Sequence, residues 1–538
     1  MEFDYIVVGA GSAGCVLADR LSRSPGTRVL VIEAGGSDAR FWIKVPLGYG
    51  FTFSDPKVNW CYTAEPDEGV NGREAYWPRG RVVGGSSSIN AMAYVRGLKQ
   101  DFDDWETAGA TGWGWDSVRQ TYERVEHHWE GGSARGEGPL RVSDLSAQMH
   151  PFSETFLDAA RDLGWKTPGD MNGGTCEGLS YFRSTVRNGF RHSAADAFLR
   201  PALKRGNVQL IKNALVEKLT FSGTRATGVQ YRVGGQQHVA TCKGEVIVSA
   251  GAVNSPQLLQ LSGLGPADLL KAHGIDVVQN LGQVGKGMQD HLAITHHFAA
   301  NRPTLNDRLG TQFGRMMIGL QYLLTRKGPL SVPTNQVGGF IRSDETQVAP
   351  NMQVYCNPVT SSTRAKGVPE VDRASGFVLC VQPCRPTSRG EVSIRSNEPG
   401  AAPRIQPNSL STEFDRWDAI RAGRLLQTLA RAPAIAQVTQ SAKEPDISKM
   451  DDAALLENFR ERALTNFHPT CTCRMGHDTK DSVLDARLKV HGTQGLRVVD
   501  ASAFPNVTSG NTNAPTIMLA MRAADLILED QAARSRQA

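Results

Sequence analysis

His468, Cys471, Cys473 and His477 fall within the stretch NFHPTCTCRMGH, residues 466–477. This density of nitrogen and sulfur donors admits three chemistries: a metal centre, a redox cysteine pair, or an acid/base catalyst. Spacing argues against the first two. Cys-x-Cys is tighter than the two-to-four residue gap of zinc loops, and no second Cys or His cluster lies nearby, so no metal site is expected. A Cys471–Cys473 disulfide would strain the geometry such bonds require. A histidine base remains, because the ordinary imidazole pKa lies near working pH. The blander reading of His468 is a structural histidine satisfied by backbone.

A second constellation opens the chain. Residues 3–8 read as a buried strand that runs into Gly9, Gly11 and Gly14, with Ser12 and Ala13 between the last two, and then into the helical pattern CVLADRLSR. Glycines there allow a sharp turn and a close backbone approach to a pyrophosphate, whose charge sits at the positive end of the helix. The next apolar strand, RVLVIEAGG, ends in Glu33 and Ala34, and a carboxylate at this distance can accept hydrogen bonds from ribose hydroxyls. It also disfavours a 2'-phosphate, since like charges would face each other. Strand, glycine turn, helix, strand and acid predict a dinucleotide site without separating FAD from NAD.

These two sites need a large frame, and 538 residues with 40% apolar content provide one, with two domains the natural expectation. The net charge of +5 is spread along the chain without a basic run, which makes nucleic acid a poor partner. Nine scattered cysteines suit reduced thiols in a cytoplasmic setting. The first residues resemble neither a signal peptide nor a membrane span. Peripheral attachment at the inner face of a membrane stays open, because an interfacial patch can be assembled from distant segments.

The stretch WPRGRVVGGSSSINAMAYVRG, residues 77–97, resembles the first signature of the glucose-methanol-choline (GMC) family of flavin oxidoreductases. SAGAVNSPQLLQLSGLG (249–265), VGKGMQDH (284–291), HPTCTCRMG and the closing VVDASAFPNVTSGNTNAPTIM resemble further family motifs in the expected order, and the wording is similar to the choline dehydrogenase and acceptor-dependent alcohol dehydrogenase branch. The resemblance implies FAD as cofactor. It places Arg81, Val83, Gly84, Gly85, Ser86, Asn90, Ala91, Met92 and Ala93 along the flavin, Val216 on its adenine side, and Ala250, Asp500, Ala501 and Thr512 around the rest. Small residues in GGSSSIN also permit close approach to a flat ring, and Asn90 offers donor and acceptor to a heterocycle edge. Some relatives attach FAD through a histidine just before that asparagine; Ile89 stands there in this chain, so the FAD is expected to be non-covalent.

The resemblance also makes His468 the base and Asn511 its partner at the substrate oxygen, with Asn513 the less favoured candidate. Relatives carry glycine where Cys471 stands, from which a backbone with negative φ and a thiol lining the pocket are expected. The implied fold is an α/β FAD-binding, Rossmann-like domain of GMC type (1–155, 205–300 and 462–538) interleaved with an α+β substrate domain (156–204 and 301–461) that contains a mostly antiparallel sheet. Residues 41–76, rich in aromatics, read as a covering loop. The expected reaction is oxidation of a primary alcohol to an aldehyde, with electrons passed to a quinone-like acceptor. An oxygen-using oxidase of the same family, or a non-redox lyase or decarboxylase, shares the same residues.

Overall fold

The computed structural model describes residues 2–130, 133–173, 176–363, 369–443 and 445–537. The chain begins with β1 (Glu2–Val8), α1 (Ser12–Leu21) and β2 (Val29–Ile32), and after a long excursion returns as β3 (Val208–Ile211), β4 (Ala214–Ser222), β5 (Arg225–Val233), β6 (Gln236–Val248) and α2 (Gly251–Leu261). A second group follows: β7 (Leu292–Ala300), α3 (Gln312–Thr325), β8 (Val337–Ile341), β9 (Met352–Asn357), β10 (Gly376–Pro383), α4 (Glu413–Arg431), β11 (Thr439–Ala442) and β12 (Leu464–Thr465). The chain closes with β13 (Leu496–Val498) and α5 (Asn513–Gln537).

The first sheet has the order β3-β2-β1-β6-β5-β4, with β13 also paired to β6. Its β3, β2, β1, β6 and β13 are parallel, whereas β4, β5 and β6 form an antiparallel meander. Parallel strands covered on both faces read as unbroken apolar runs. Accordingly Ile6, Val7 and Val8 of β1 and all four residues of β2 are buried. Helix α5 packs on α1 and buries five consecutive residues, Ile517 to Met521, so it is an interior helix rather than an amphipathic cover.

The second sheet, β8-β9-β10-β7-β11 with β12 on β7, is antiparallel throughout. The segments MQVYCNPV and SGFVLCVQP, which read as strands from their apolar and β-branched content, form β9 and β10. Helix α4 starts at the Thr412 cap, whose side chain accepts from Asp415 N, and lays Ala419, Ala422, Leu425 and Leu426 into the same core as Leu379 and Val381 of β10.

From sequence, GLRVVDAS reads as a buried strand ending in Asp500, and Pro515 suits the first turn of a helix running to about Asp530; both boundaries differ in the structure. The final helix runs past Asp530 to Gln537, because QAARSRQ contains good helix formers and Asp530 anchors it to Arg487, Lys489 and Arg497. Strand β13 stops at Val498; Asp500 instead caps a helical turn, accepting from Ser502 N at 2.8 Å. Residues 41–76 carry short helical turns at 41–44, 46–48, 49–52 and 68–70 and a strand at Tyr62–Thr63.

Candidate active site

One cavity of about 680 Å³ lies between the two sheets. The first sheet contributes the turn after β1, the end of β2, the start of β4 and the start of α2; the second contributes Thr295 of β7, Tyr355 and Asn357 of β9, and Val378 and Cys380 of β10. Ligands of open α/β sheets sit outside the carboxyl ends of the strands, where this cavity begins.

The glycines divide into two kinds. A Cβ on Gly14 would lie 1.9 Å from Gly9 O, so this glycine lets α1 pack against the turn and does not line the cavity. A Cβ on Gly11 would meet nothing closer than 4.0 Å and would instead occupy cavity space. Ser12 Oγ donates to Asn513 Oδ1 at 2.8 Å, which brings the N-terminal ends of α1 and α5 together at the cavity wall. Glu33 spends its two oxygens on Ala10 N (2.9 Å) and Gly35 N (2.8 Å), and burial raises its pKa to about 7. Asp500 accepts from Gly251 N, Ser255 Oγ, Ser502 N and Ser502 Oγ, a saturated carboxylate that holds the start of α2.

The catalytic candidates stand at the other end. The QDH segment, 289–291, runs beside Asn466 to Thr470 and fixes that turn through Asn466 N to His291 O (2.8 Å), His468 N to Asp290 Oδ1 (2.7 Å) and Thr470 N to Gln289 O (2.9 Å). Arg79 Nη2 closes it from the far side by donating to Phe467 O at 2.6 Å. His468 Nδ1 lies 3.0 Å from His291 Nδ1, and its Nε2 lies 3.1 Å from Asn511 Nδ2.

These contacts assign the protons. His291 Nε2 faces the Cys384 carbonyl at 2.8 Å, and a carbonyl only accepts, so Nε2 carries the hydrogen. Burial lowers the His291 pKa to about 4, so the ring is neutral and its Nδ1 is an acceptor. His468 must therefore donate from Nδ1. Burial, reinforced by the neighbouring His291 and Arg79, pushes its pKa well below the usual range, which leaves Nε2 bare. That lone pair accepts from Asn511 Nδ2, while Asn511 Oδ1 is a buried acceptor without a donor. A bare imidazole nitrogen beside a carboxamide can take a hydroxyl proton while the amide holds the oxygen.

Residues 3–293 and 386–520 match the N- and C-terminal family models of GMC oxidoreductase. The chain is a GMC oxidoreductase. It is 40% identical to an oxygen-dependent choline dehydrogenase of Vibrio vulnificus (98% of this chain, 95% of the relative) and 40% identical to an alcohol dehydrogenase [acceptor] of Pseudomonas putida (98% and 96%). Among solved structures, pyridoxine 4-oxidase from Mesorbium loti superposes with a TM-score of 0.87 at 30% identity, covering 97% of this chain and 98% of that one.

GMC oxidoreductases bind FAD, and the residues present fit it: the space beside Gly11, the acceptor carboxylate of Glu33, the paired helix ends, and the orphaned Asn511 Oδ1. Of the residues read from sequence, Gly9, Gly11, Ser12, Ala13, Glu33, Ala34, Arg81, Gly85, Ser86, Asn90, Ala91, Met92, Ala93, Val216, Ala250, Asp500, Ala501, Asn511, Thr512 and His468 line the cavity. Gly14, Val83 and Gly84 stand behind it; Val83 N donates to Gly36 O and Gly84 N to Ala10 O, which splices the SSS loop onto the glycine turn. Asn90 Oδ1 accepts from Arg191 Nη1 (2.7 Å) and Met92 N (3.1 Å), so the amide is held in one orientation.

The expectation for Cys471 is overturned. Its φ is +71°, and its thiol lies away from the cavity, against Thr470 Oγ1 (3.0 Å) and Gln289 Oε1 (3.5 Å). The backbone needs the left-handed turn because Thr470 pairs back to Gln289 while Cys471 N reaches Ala501 O, and the side chain accepts the steric cost. Asn513, the less favoured partner of the base, is tied to Ser12 instead. Sequence reasoning quoted QDH without giving His291 a role, and Cys384, acting through a carbonyl, carries no side-chain signal at all. Of the aromatics in 41–76, Tyr49, Trp60 and Tyr62 reach the cavity, together with Phe53; Trp42 and Tyr76 do not.

Proposed function

We propose that this GMC oxidoreductase oxidises an uncharged primary alcohol to the aldehyde, with His468 as the base and Asn511 as the ligand of the alcohol oxygen. The observation that carries this reading is the bare Nε2 of His468, held in the cavity wall beside Asn511. When bound, FAD supplies the two-electron acceptor for the hydride that leaves the carbinol carbon. His468 Nε2 takes the hydroxyl proton, and Asn511 Nδ2, freed from the imidazole as that nitrogen is protonated, steadies the oxygen on which negative charge develops. The products balance as aldehyde, one proton and one hydride.

The relatives named for choline raise the alternative of a quaternary ammonium substrate, and the lining argues against it. A buried ammonium calls for an aromatic cage and a carboxylate. Among the described lining residues the carboxylates are Glu33, at the end of β2, and Asp500, at the start of α2, both already accepting from backbone amides, whereas Arg79 and Arg81 add positive charge. The cavity does carry rings, Tyr49, Phe53, Tyr355 and Phe467 among them, but no free carboxylate beside them, and the rest of the catalytic end is furnished with amides, Asn90, Asn335, Asn357, Asn466 and Asn511, and with apolar Met92 and Val378. Anaerobic titration with a panel of alcohols tests this: neutral primary alcohols bleach the flavin at lower concentration than choline. A marked preference for choline contradicts the reading.

In this proposal segments 1–155, 205–300 and 462–538 hold FAD, and 156–204 and 301–461 cover the alcohol. FAD is bound without a covalent link, since Ile89 is packed among Ile43, Val58 and Val82 where an attachment histidine would stand. Acid precipitation then releases all the flavin into the supernatant; yellow colour retained in the pellet contradicts it. Electrons leave to a quinone-like acceptor. Near-stoichiometric peroxide per alcohol consumed would instead identify an oxidase.

A further inference from the structure

Helix α3 presents its apolar face to solvent. Ile318 and Tyr322 hold it down: Ile318 packs with Leu305, Leu309, Leu47 and Leu330, and Tyr322 Oη donates to Gly189 O at 2.9 Å. On the opposite side Phe313, Met316, Leu320, Leu323 and Leu324 are exposed, Phe313 by 71% and Leu324 by 75%. A surface helix of a protein surrounded by water places polar residues there. Phe41, Trp42 and Phe51 add a second exposed apolar group, with ring centroids 4.9 and 4.3 Å apart. The two groups belong to one surface. Leu47, between them in sequence, packs into the cluster of Ile318, and Arg191 Nε donates to Ile43 O at 2.9 Å beside Phe190, whose ring meets Tyr322 edge-on.

Along α3 the charge has one sign. Between Asp307 and Asp344 the chain carries no carboxylate, but it carries Arg308, Arg315, Arg326 and Lys327 on and beside α3. Among the described residues none of these four is in an ion pair.

We propose that this face docks the protein on an anionic phospholipid bilayer, with the α3 side chains and the aromatic trio entering the headgroup boundary and the four cations meeting lipid phosphates. Apolar residues on one side, basic residues around them and aromatics at the edge are the features of an interfacial helix. A second copy of this chain fits less well, because a two-fold contact would bring the same uncompensated cations face to face. No helix among the described residues is long and apolar enough to cross a membrane, so the attachment is to one surface. Tyr49, in the turns between Leu47 and Phe51, lines the cavity and hydrogen-bonds Thr334, which ties this face to the cavity wall. The proposal stands whether or not the alcohol reading above is correct.

Flotation of the full-length holoenzyme with vesicles tests it. Vesicles of phosphatidylcholine with phosphatidylglycerol carry the protein upward, and those of phosphatidylcholine alone carry much less. The double variant Leu320→Glu/Leu324→Glu lowers the bound fraction about tenfold or more, and Arg315→Gln/Lys327→Gln removes the preference for anionic vesicles. Unchanged melting temperature and flavin absorbance in both variants show that folding is intact. Failure of the unaltered protein to float with either vesicle overturns the proposal. So does a dimer in light scattering that Leu320→Glu/Leu324→Glu converts to monomer, since the face would then belong to a second copy.

Discussion

The proton on His468 is placed by an oxygen it never touches. Cys384 O fixes the hydrogen of His291 on Nε2, His291 Nδ1 fixes that of His468 on Nδ1, and a lone pair is left at Nε2, where the proposed base needs it. His291→Phe keeps a ring in the site but removes the acceptor. Flavin reduction is expected to slow by about 10- to 100-fold, as for lost partners that orient a functional imidazole, with FAD still bound and alcohol affinity little changed. A rate equal to that of the unaltered protein would show that His291 only fills space. The same pair bears on stability. Both histidines are neutral when folded and have folded pKa values below the unfolded one, so the unfolded chain binds more protons and stability falls as pH drops from about 6.5 toward the His291 value of about 4. Asp290 and Glu33 act in the opposite sense: burial raises them to about 6 and about 7, so their contribution is lost as pH rises through that window. The difference in melting temperature between the unaltered protein and His291→Phe, followed from pH 7 to 5, isolates the histidine contribution; it should shift in favour of the variant as pH falls. Cys471 gives a third residue-scale outcome. Its left-handed backbone disfavours a β-branched side chain, so Cys471→Val costs about 2 kcal/mol or more in denaturant unfolding, whereas Cys471→Gly stays within about 1 kcal/mol because relief of strain offsets the lost thiol packing.

At the scale of elements, the glycine turn separates folding from binding. Gly14→Ala drives a methyl into Gly9 O and should destabilise the protein by about 1–3 kcal/mol. Gly11→Ala meets no protein atom closer than 4.0 Å, so its melting curve without flavin should be unchanged while FAD affinity falls. Equal effects of the two on melting would contradict the division. This turn was legible in the sequence because its strand, glycines, helix and acid lie within one local pattern whose physics is backbone reach. The strands β9 and β10 and the α4 cap, which the sequence leaves between Ser411 and Thr412, were legible for the same reason: period, turn residues and capping chemistry act over a few positions. Pairing between Gln289 to His291 and Asn466 to Thr470 was not, since it joins segments far apart in sequence, and it is this pairing that gives Cys471 its positive φ. The resemblance to the family singled out His468 and Asn511, which the fold sets 3.1 Å apart, but the hydrogen-bond chain behind them depends on a main-chain carbonyl that any residue at 384 would provide.

At the scale of the molecule, neither sheet alone makes the site. The parallel sheet supplies Glu33 and the helix ends of α1 and α5, the antiparallel sheet supplies Tyr355, Asn357 and the carbonyl that follows β10, and the two meet across the cavity where His468 stands. Long excursions between β2 and β3 and between β6 and β13 are what allow one chain to build both walls. The exposed face of α3 lies on the outer side of the same assembly, close to the aromatic turn that forms part of the cavity wall. His468 is the proposed base, and anaerobic stopped-flow of His468→Ala tests that role directly. With a good primary alcohol, the bound flavin should bleach at least about 10²-fold more slowly than in the unaltered protein, with the oxidised flavin spectrum and FAD content preserved. Bleaching at the unaltered rate would contradict the account.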